Sequence, residues 1–268
     1  METPNEIKQV VKDKYSEIAL SVKGSCCGPT SCCGDSSTLE YSMIGDEYKN
    51  VQGYLPDADL GLGCGLPTEF ADIKSGDTVV DLGSGAGNDV FIARAIVGEA
   101  GRVIGVDMTE AMIEKANRNN SKLGFNNVEF KLGEIEQLPL ESGIADVIVS
   151  NCVLNLVPDK QKAFAEIFRV LKPGAHFCVS DIVIKGELNP ELQKSAEMYA
   201  GCVAGAVQQD EYLTLIKQAG FKEVQIKKTK VIELPTEVLS EYLSADGLKA
   251  YQQNVEGIFS ITVLGYKK

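Results

Sequence analysis

Hydrophobic and polar positions change their period near Asp77. Upstream, Ile7, Val10, Val11 and Ile18 stand among charges over the first twenty residues, a spacing that predicts an amphipathic surface helix. Residues 24–38 are rich in Gly, Ser and Pro, which predicts a mobile linker. The stretch from Glu40 to Ile73 mixes Gly, Asp and aromatic residues and predicts loops and short helices. From Thr78 the texture alternates. TVVDLG is a buried strand and DVFIARAIVG a helix; RVIGVDM is a strand and TEAMIEKANRNNSKLG a helix with Thr109 as N-cap; NVEFKLG is a third strand. ADVIVSN follows as a strand, DKQKAFAEIFRVLKPG as a helix from Asp159 to Pro173–Gly174, and AHFCVSDIV as a fifth strand. Strands alternating with helices predict a doubly wound, mostly parallel α/β sheet with helices on both faces. DEYLTLIKQAGF then predicts a helix, and EVQIKKTKVIEL and FSITVLGYKK predict two strands that pair at the sheet edge.

This texture divides the chain into three parts: residues 1–40, a helix and Cys-rich tail; 41–185, the α/β core with a glycine loop before it; and 186–268, an appendage expected to complete the sheet and cover the reaction site.

Charge narrows the partners. The 268 residues carry a formal net charge of -12, with Lys and Arg scattered. Phosphate backbones are bound by clustered cations, so nucleic acid and anionic membrane surfaces are disfavoured. No leader-like apolar run opens the chain and no segment is apolar enough to span a bilayer, which predicts a cytoplasmic protein with reduced thiols. Eight cysteines then suggest metal, metalloid or redox chemistry more than a disulfide framework.

DLGSGAGN lies between the first strand and the first core helix, with Gly83, Gly85 and Gly87 spaced GxGxG. Such a turn lets backbone approach a ligand and presents the free N–H groups of the helix. Asp107 ends the second strand, where an acid can accept hydrogen bonds from both hydroxyls of a ribose. The glycine spacing is not GxGxxG and no GKS/T is present, which tilts away from NAD and ATP. The glycine loop, Asp107 and the acidic GEIEQLP segment resemble the class I S-adenosylmethionine-dependent methyltransferases over about residues 70–185. The resemblance implies a Rossmann-like fold. It also implies Gly83, Gly85 and Gly87 near the methionine part of S-adenosylmethionine, Asp107 on its ribose, and Ile135 with Glu136 beside its adenine. Asp81 would orient the loop or meet the ammonium, and Asn88 and Met108 belong to the same expected set.

In such a sheet the ligand lies beyond the carboxyl ends of the strands, at the switch point. Asn151 and Cys152, just after the fourth strand, therefore fall beside the reactive sulfonium. Cys64 sits in LGLGCGLPT and Cys202 in MYAGCVAGAV, both among small residues. Each alone fits a buried apolar cysteine. Together three soft thiolates suit a soft ion; zinc would want a fourth ligand, whereas trivalent arsenic is satisfied by three sulfurs and keeps a nucleophilic lone pair. His176 is expected to be structural or exposed, and Cys178 to be sheet core. GLGCG, SNCVLNLVPDK and AGCVAGA are similar to the arsenite methyltransferases, and with the cofactor motifs the likeness spans most of residues 40–210. That family implies As(III) on Cys64, Cys152 and Cys202, delivered as a thiol complex, and S-adenosylmethionine as methyl donor. It further implies a thiol reductant such as thioredoxin or glutathione.

Two other readings stay open at this point: a methyltransferase for a small organic acceptor such as a quinone, and a non-catalytic metalloid-binding protein. The tail GSCCGPTSCCG holds Cys26, Cys27, Cys32 and Cys33. Adjacent residues of a strand face opposite sides, so neither pair suits a regular cage. Capture of metalloid for the three-cysteine site, zinc binding and incidental thiols are the alternatives there.

Overall fold

The computed structural model describes residues 3–20, 48–186, 205–232 and 258–268. Cys26, Cys27, Cys32, Cys33 and Cys202 lie outside them, as does the linker expected over residues 24–38.

The elements follow the alternation of the sequence. Strands β1 (Thr78–Leu82), β2 (Arg102–Asp107), β3 (Val128–Leu132), β4 (Ala145–Asn151) and β5 (Leu171–Ile184) alternate with helices α3 (Asn88–Val97), α4 (Glu110–Leu123) and α5 (Lys160–Val170). Helices α1 (Pro4–Leu20) and α2 (Pro67–Phe70) come before them; β6 (Val207–Gln208), α6 (Gln209–Gln218), β7 (Lys222–Val231) and β8 (Ile258–Tyr266) come after. The sheet runs β3-β2-β1-β4-β5-β8-β7, with β6 beside β5. Strands β1 to β5 pair in parallel, whereas β8 joins β5 and β7 antiparallel. The two final strands thus pair at the edge as expected.

Parallel strands covered on both faces need apolar side chains on both faces. Accordingly Val79, Val80 and Leu82 of β1 and Val147, Ile148 and Val149 of β4 are all buried. One apolar layer holds Phe164, Ile167, Tyr212 and Phe221 under α5 and α6. The other holds Val90, Phe91, Ala93 and Val97 of α3. Helix α4 buries Met112, Ala116 and Asn119, one stripe of its surface. It ends at Gly124, left-handed at φ 70, whose N–H bonds the carbonyl of Asn120.

Two of three local details depart from the sequence pattern. Thr109 occupies the N-cap of α4, but its side chain makes no capping bond; its N–H is instead donated to Asp107 Oδ1 at 2.9 Å. Asp159 does cap α5, accepting from Lys162 N at 2.9 Å. Helix α5 ends at Val170, short of Pro173, because Leu171 turns extended and pairs with Ala145 of β4. Lys172, directly before Pro173, is kept out of the helical region, and the sheet takes the released backbone.

The chain order reverses between β1 and β4. That switch point positions everything that follows.

Candidate functional site

The carboxyl ends of β1, β2, β3 and β4 open onto a cleft of about 1100 Å³, its mouth included. The glycine loop forms one wall. Gly83 (φ 69), Gly85 (φ 51) and Gly87 (φ 99) all take left-handed backbone, which a β-carbon disfavours. The N–H groups of Gly83 and Ser84 both bond the carbonyl of Val106, at 2.7 and 3.0 Å, and stitch the loop to β2. Gly85 N donates to Asp107 Oδ2 at 2.9 Å. With Thr109 N on Oδ1, the Asp107 carboxylate is held from both sides, and each oxygen keeps acceptor capacity. Burial pushes the pKa of Asp107 up, while those backbone bonds pull it back.

Asp81, Gly83, Gly85, Asn88, Asp107, Met108, Ile135, Glu136, Asn151 and Cys152 all border the cleft. Gly87 does not: a β-carbon there would stand 2.8 Å from the Phe91 ring and 3.0 Å from that of Phe130, so close packing of α3 on β3 keeps it glycine. Ser84 Oγ and Asn88 Oδ1 are buried and have no hydrogen-bond partner among the described residues. Leaving such an atom unsatisfied costs about 1–3 kcal/mol, and a polar ligand in the cleft would satisfy both.

Electrostatically the wall is acidic. Burial raises the pKa of Asp81 well above the ordinary carboxylate value, and Asp89 and Asp107 add to the shift. Asp89 is raised to about 6, mainly by burial, against the bonds it receives from Asn151 and Tyr48. Buried acids that repel one another are relieved by a cation.

Sequence patterns did not foretell one wall. Lys8, Val11 and Tyr15 of α1 border the cleft. Lys8 Nζ pairs with Glu134 at 2.7 Å and also with the buried Glu136. The amphipathic period predicted α1 but carried no sign of what its apolar face would cover.

The second half of the site is built from thiols. Cys64 and Cys152 are both buried, at 1% and 2% exposure. The GLGCG glycines explain how the Cys64 loop comes so close. A β-carbon on Gly63 would lie 2.8 Å from Asn151 Nδ2, and one on Gly65 would lie 2.6 Å from Ser180 Oγ. Without those β-carbons the loop rests directly on the ends of β4 and β5. Cys64 N donates to Asn151 Oδ1 at 3.0 Å, and Ser260 Oγ donates to the Cys64 carbonyl. Cys152 follows β4 in a left-handed conformation, φ 60, strain of about 1–3 kcal/mol for a residue with a β-carbon. Its N–H bonds the Ser180 carbonyl at 2.7 Å.

Tyr212 is a fully buried phenol. The pKa of Tyr212 is pushed well up, by burial first and Asp181 next, with smaller contributions from Cys64 and Cys152. Tyr212 Oη donates to Asp181 Oδ2 at 3.0 Å. Burial lifts Asp181 to about 7, against the pull of Lys160. No residue pattern had marked Asp181 or Tyr212, since each looks like ordinary strand or helix core. Among the described residues no three His, Cys, Asp or Glu side chains gather as a metal site; two of the three expected thiols are present and Cys202 is outside.

His176 and Cys178 are structural. His176 is buried with Nε2 2.5 Å from the Ala71 carbonyl. Burial in the sheet pushes the Cys178 thiol up to about 12.

A family model described as a methyltransferase domain matches residues 73–220. The chain belongs to the methyltransferase-domain family. This methyltransferase-domain chain is 42% identical to an arsenite methyltransferase of Halobacterium salinarum, over 83% of its own length and 59% of the relative's. It is 32% identical to the arsenite methyltransferase of Homo sapiens, over 89% of its own length and 64% of the relative's. The chain therefore spans less than two thirds of either relative. A solved structure of an arsenic(III) S-adenosylmethionine methyltransferase from Chlamydomonas reinhardtii superposes with TM-score 0.64 at 34% identity, covering 75% of this chain and 66% of that one. The class I methyltransferase fold expected from the glycine loop is thereby shown.

Proposed function

We propose that this methyltransferase-domain chain transfers methyl groups from S-adenosylmethionine to trivalent arsenic held by cysteine thiolates. The observation that carries the reading is the placement of two buried thiols, Cys64 and Cys152, at the carboxyl end of the sheet beside an acid-walled cleft. The names of the relatives support it.

S-Adenosylmethionine supplies an electrophilic methyl group on a sulfonium. Asp107, already fixed by two backbone amides, would accept from the ribose hydroxyls. Ile135 and Glu136 would flank the adenine. The carboxylate of Asp81, with the unpartnered Ser84 Oγ and Asn88 Oδ1, suits the charged methionine end. Cys64 and Cys152, joined by Cys202, would hold arsenic by its three valences and leave its lone pair toward the methyl group. Most of the acceleration would come from placement. Methylation oxidises arsenic by two electrons, so a thiol reductant such as thioredoxin or glutathione has to return them. Arsenic would arrive as a thiol complex, and the paired cysteines Cys26, Cys27, Cys32 and Cys33 would relay it to the site. No helix of the described residues is long and apolar enough to cross a membrane, and reduced thiols fit a cytoplasmic setting.

The test incubates the protein with arsenite, a thiol and S-adenosylmethionine labelled in the methyl group. Labelled methylarsenicals are expected in the product analysis, and their absence at saturating arsenite would sink the proposal. Cys202→Ser is expected to stop turnover on arsenite; an unaffected rate would remove that residue from the arsenic site.

A further inference from the structure

We infer that Asp89 is a positioning residue, whose carboxylate sets the donor and acceptor directions of a buried network that holds the Cys64 loop against the cleft. The inference rests on the arsenite reading for its kinetic consequence alone.

Four groups meet in this network. Tyr48 Oη lies 3.1 Å from Asp89 Oδ1, 3.0 Å from Asp89 Oδ2 and 3.1 Å from the Gly65 carbonyl. Asn151 Nδ2 donates to the Gly65 carbonyl at 2.8 Å, to Asp89 Oδ2 at 3.2 Å and to Tyr48 Oη. The orientation of the Asn151 amide is not free. Its Oδ1 faces the Cys64 N–H and its Nδ2 faces the Gly65 C=O. A flipped amide would set donor against donor at one end and acceptor against acceptor at the other.

Asn151 therefore reaches residue 89 as a donor, while the one Tyr48 hydroxyl proton can go to Asp89 or to the Gly65 carbonyl. A carboxylate accepts from both with a charge; a carboxamide keeps one neutral acceptor, and Tyr48 would accept from its N–H2 and donate to Gly65 instead. Asp89 and Tyr48 are 7% and 3% exposed, so solvent is poorly placed to repair the mismatch. Asn151 then loses its charged acceptor at residue 89, and its hold on Cys64 N weakens with it. Asp89 sits in the first turn of α3, directly after the glycine loop, and itself borders the cleft. One carboxylate thus ties the start of α3, the end of β4 and the Cys64 loop together. Its retention against a burial cost that raises it to about 6 fits a residue needed as an acceptor.

The experiment measures alkylation of Cys64 by N-ethylmaleimide, followed by peptide mass spectrometry, with the buried Cys178 as internal reference. In the wild type Cys64 should react slowly. Asp89→Asn should raise its rate relative to Cys178 on the order of tenfold, the loss of one hydrogen bond to a charged group. Tyr48→Phe should raise it by less, and the double variant should not exceed Asp89→Asn alone, because both act through one network. The same Asp89→Asn protein should show a raised KM for arsenite with a smaller fall in kcat. A wild-type Cys64 rate in folded Asp89→Asn would overturn the inference. If Asp89→Asn does not fold, a wild-type rate in Tyr48→Phe overturns it instead. Should wild-type protein make no methylarsenical, the proposed function falls while the alkylation ratio still decides the network. Faster alkylation with an unchanged arsenite KM would sustain the network and remove Cys64 from the arsenic site.

Discussion

The two halves of the cleft are made in different ways. The cofactor half is built by contiguous sequence. The glycine loop, Asp107 and the Ile135–Glu136 turn each follow a strand directly, and the sheet brings the three turns side by side. The thiol half is assembled across the chain. Cys152 borders the cleft from the end of β4, and Cys64 lies buried in the loop before the sheet, whose Leu62 and Gly63 also border the cleft. Backbone amides hold the first half, whereas side-chain bonds and close glycine contacts hold the second. A site made of strand-end turns tolerates change outside those turns. A site made of a packed loop depends on every surface the loop touches.

The largest effect should come from exchanging damage between the halves. Cys152→Ser is expected to abolish methylation of arsenite while leaving the affinity for S-adenosylhomocysteine, measured calorimetrically, near wild type. Asp107→Ala should do the reverse, weakening that affinity roughly ten- to a hundredfold, as befits the loss of charge-assisted hydrogen bonds. If Cys152→Ser also lost the nucleoside, the two halves would not be separable as drawn.

A second, intermediate effect concerns pH. The folded pKa of Asp181 is raised to about 7 from the ordinary 3.8. The folded state therefore binds a proton that the unfolded state has released across that window. Its contribution to stability is fully present below the unfolded value and is lost as pH rises through the folded one. Asp181→Asn removes this dependence. The difference in Tm, variant minus wild type, should grow by several degrees from pH 4 to pH 8 in thermal melts. A difference independent of pH would show that Asp181 is ionised throughout, balanced by Lys160.

The smallest effect tests the wall that α1 adds. Lys8 is paired with Glu134 and Glu136 but is partly exposed, so the pair is screened and contributes little. Lys8→Ala should raise the KM for S-adenosylmethionine by no more than about threefold, consistent with a median of 0–1 kcal/mol for such pairs. Loss of an order of magnitude would make α1 part of the binding machinery and not a cover.

Much of the cofactor half was legible because its chemistry sits at fixed offsets from strand ends. Gly83, Gly85, Asp107, Ile135 and Glu136, which the methyltransferase resemblance singled out, all border the cleft, and Gly87 is the instructive exception. Its left-handed backbone was readable, but its reason lies in Phe91 and Phe130, which no local spacing relates to it. Cys152 borders the cleft as its place at the end of β4 predicted, whereas Cys64, singled out by the glycines around it, is buried and is not part of the cleft lining. Asp89, Tyr48, Asp181, Tyr212 and the α1 wall were not legible, since an acid in a helix turn or a tyrosine in a helix looks the same from sequence whether or not it meets a partner.

The switch point between β1 and β4 is a matter of strand order, whereas the sequence by itself determined the alternation of strands and helices and the turns at the strand ends. These follow from periodicity and from backbone conformations that only glycine adopts readily, both of them local properties. Tertiary structure decided which way Asn151 points, what packs against the Cys64 loop, which acid pairs with Tyr212, and that α1 borders the cleft. Those are matters of packing and of hydrogen-bond direction between residues tens of positions apart, and no local rule of the chain encodes them.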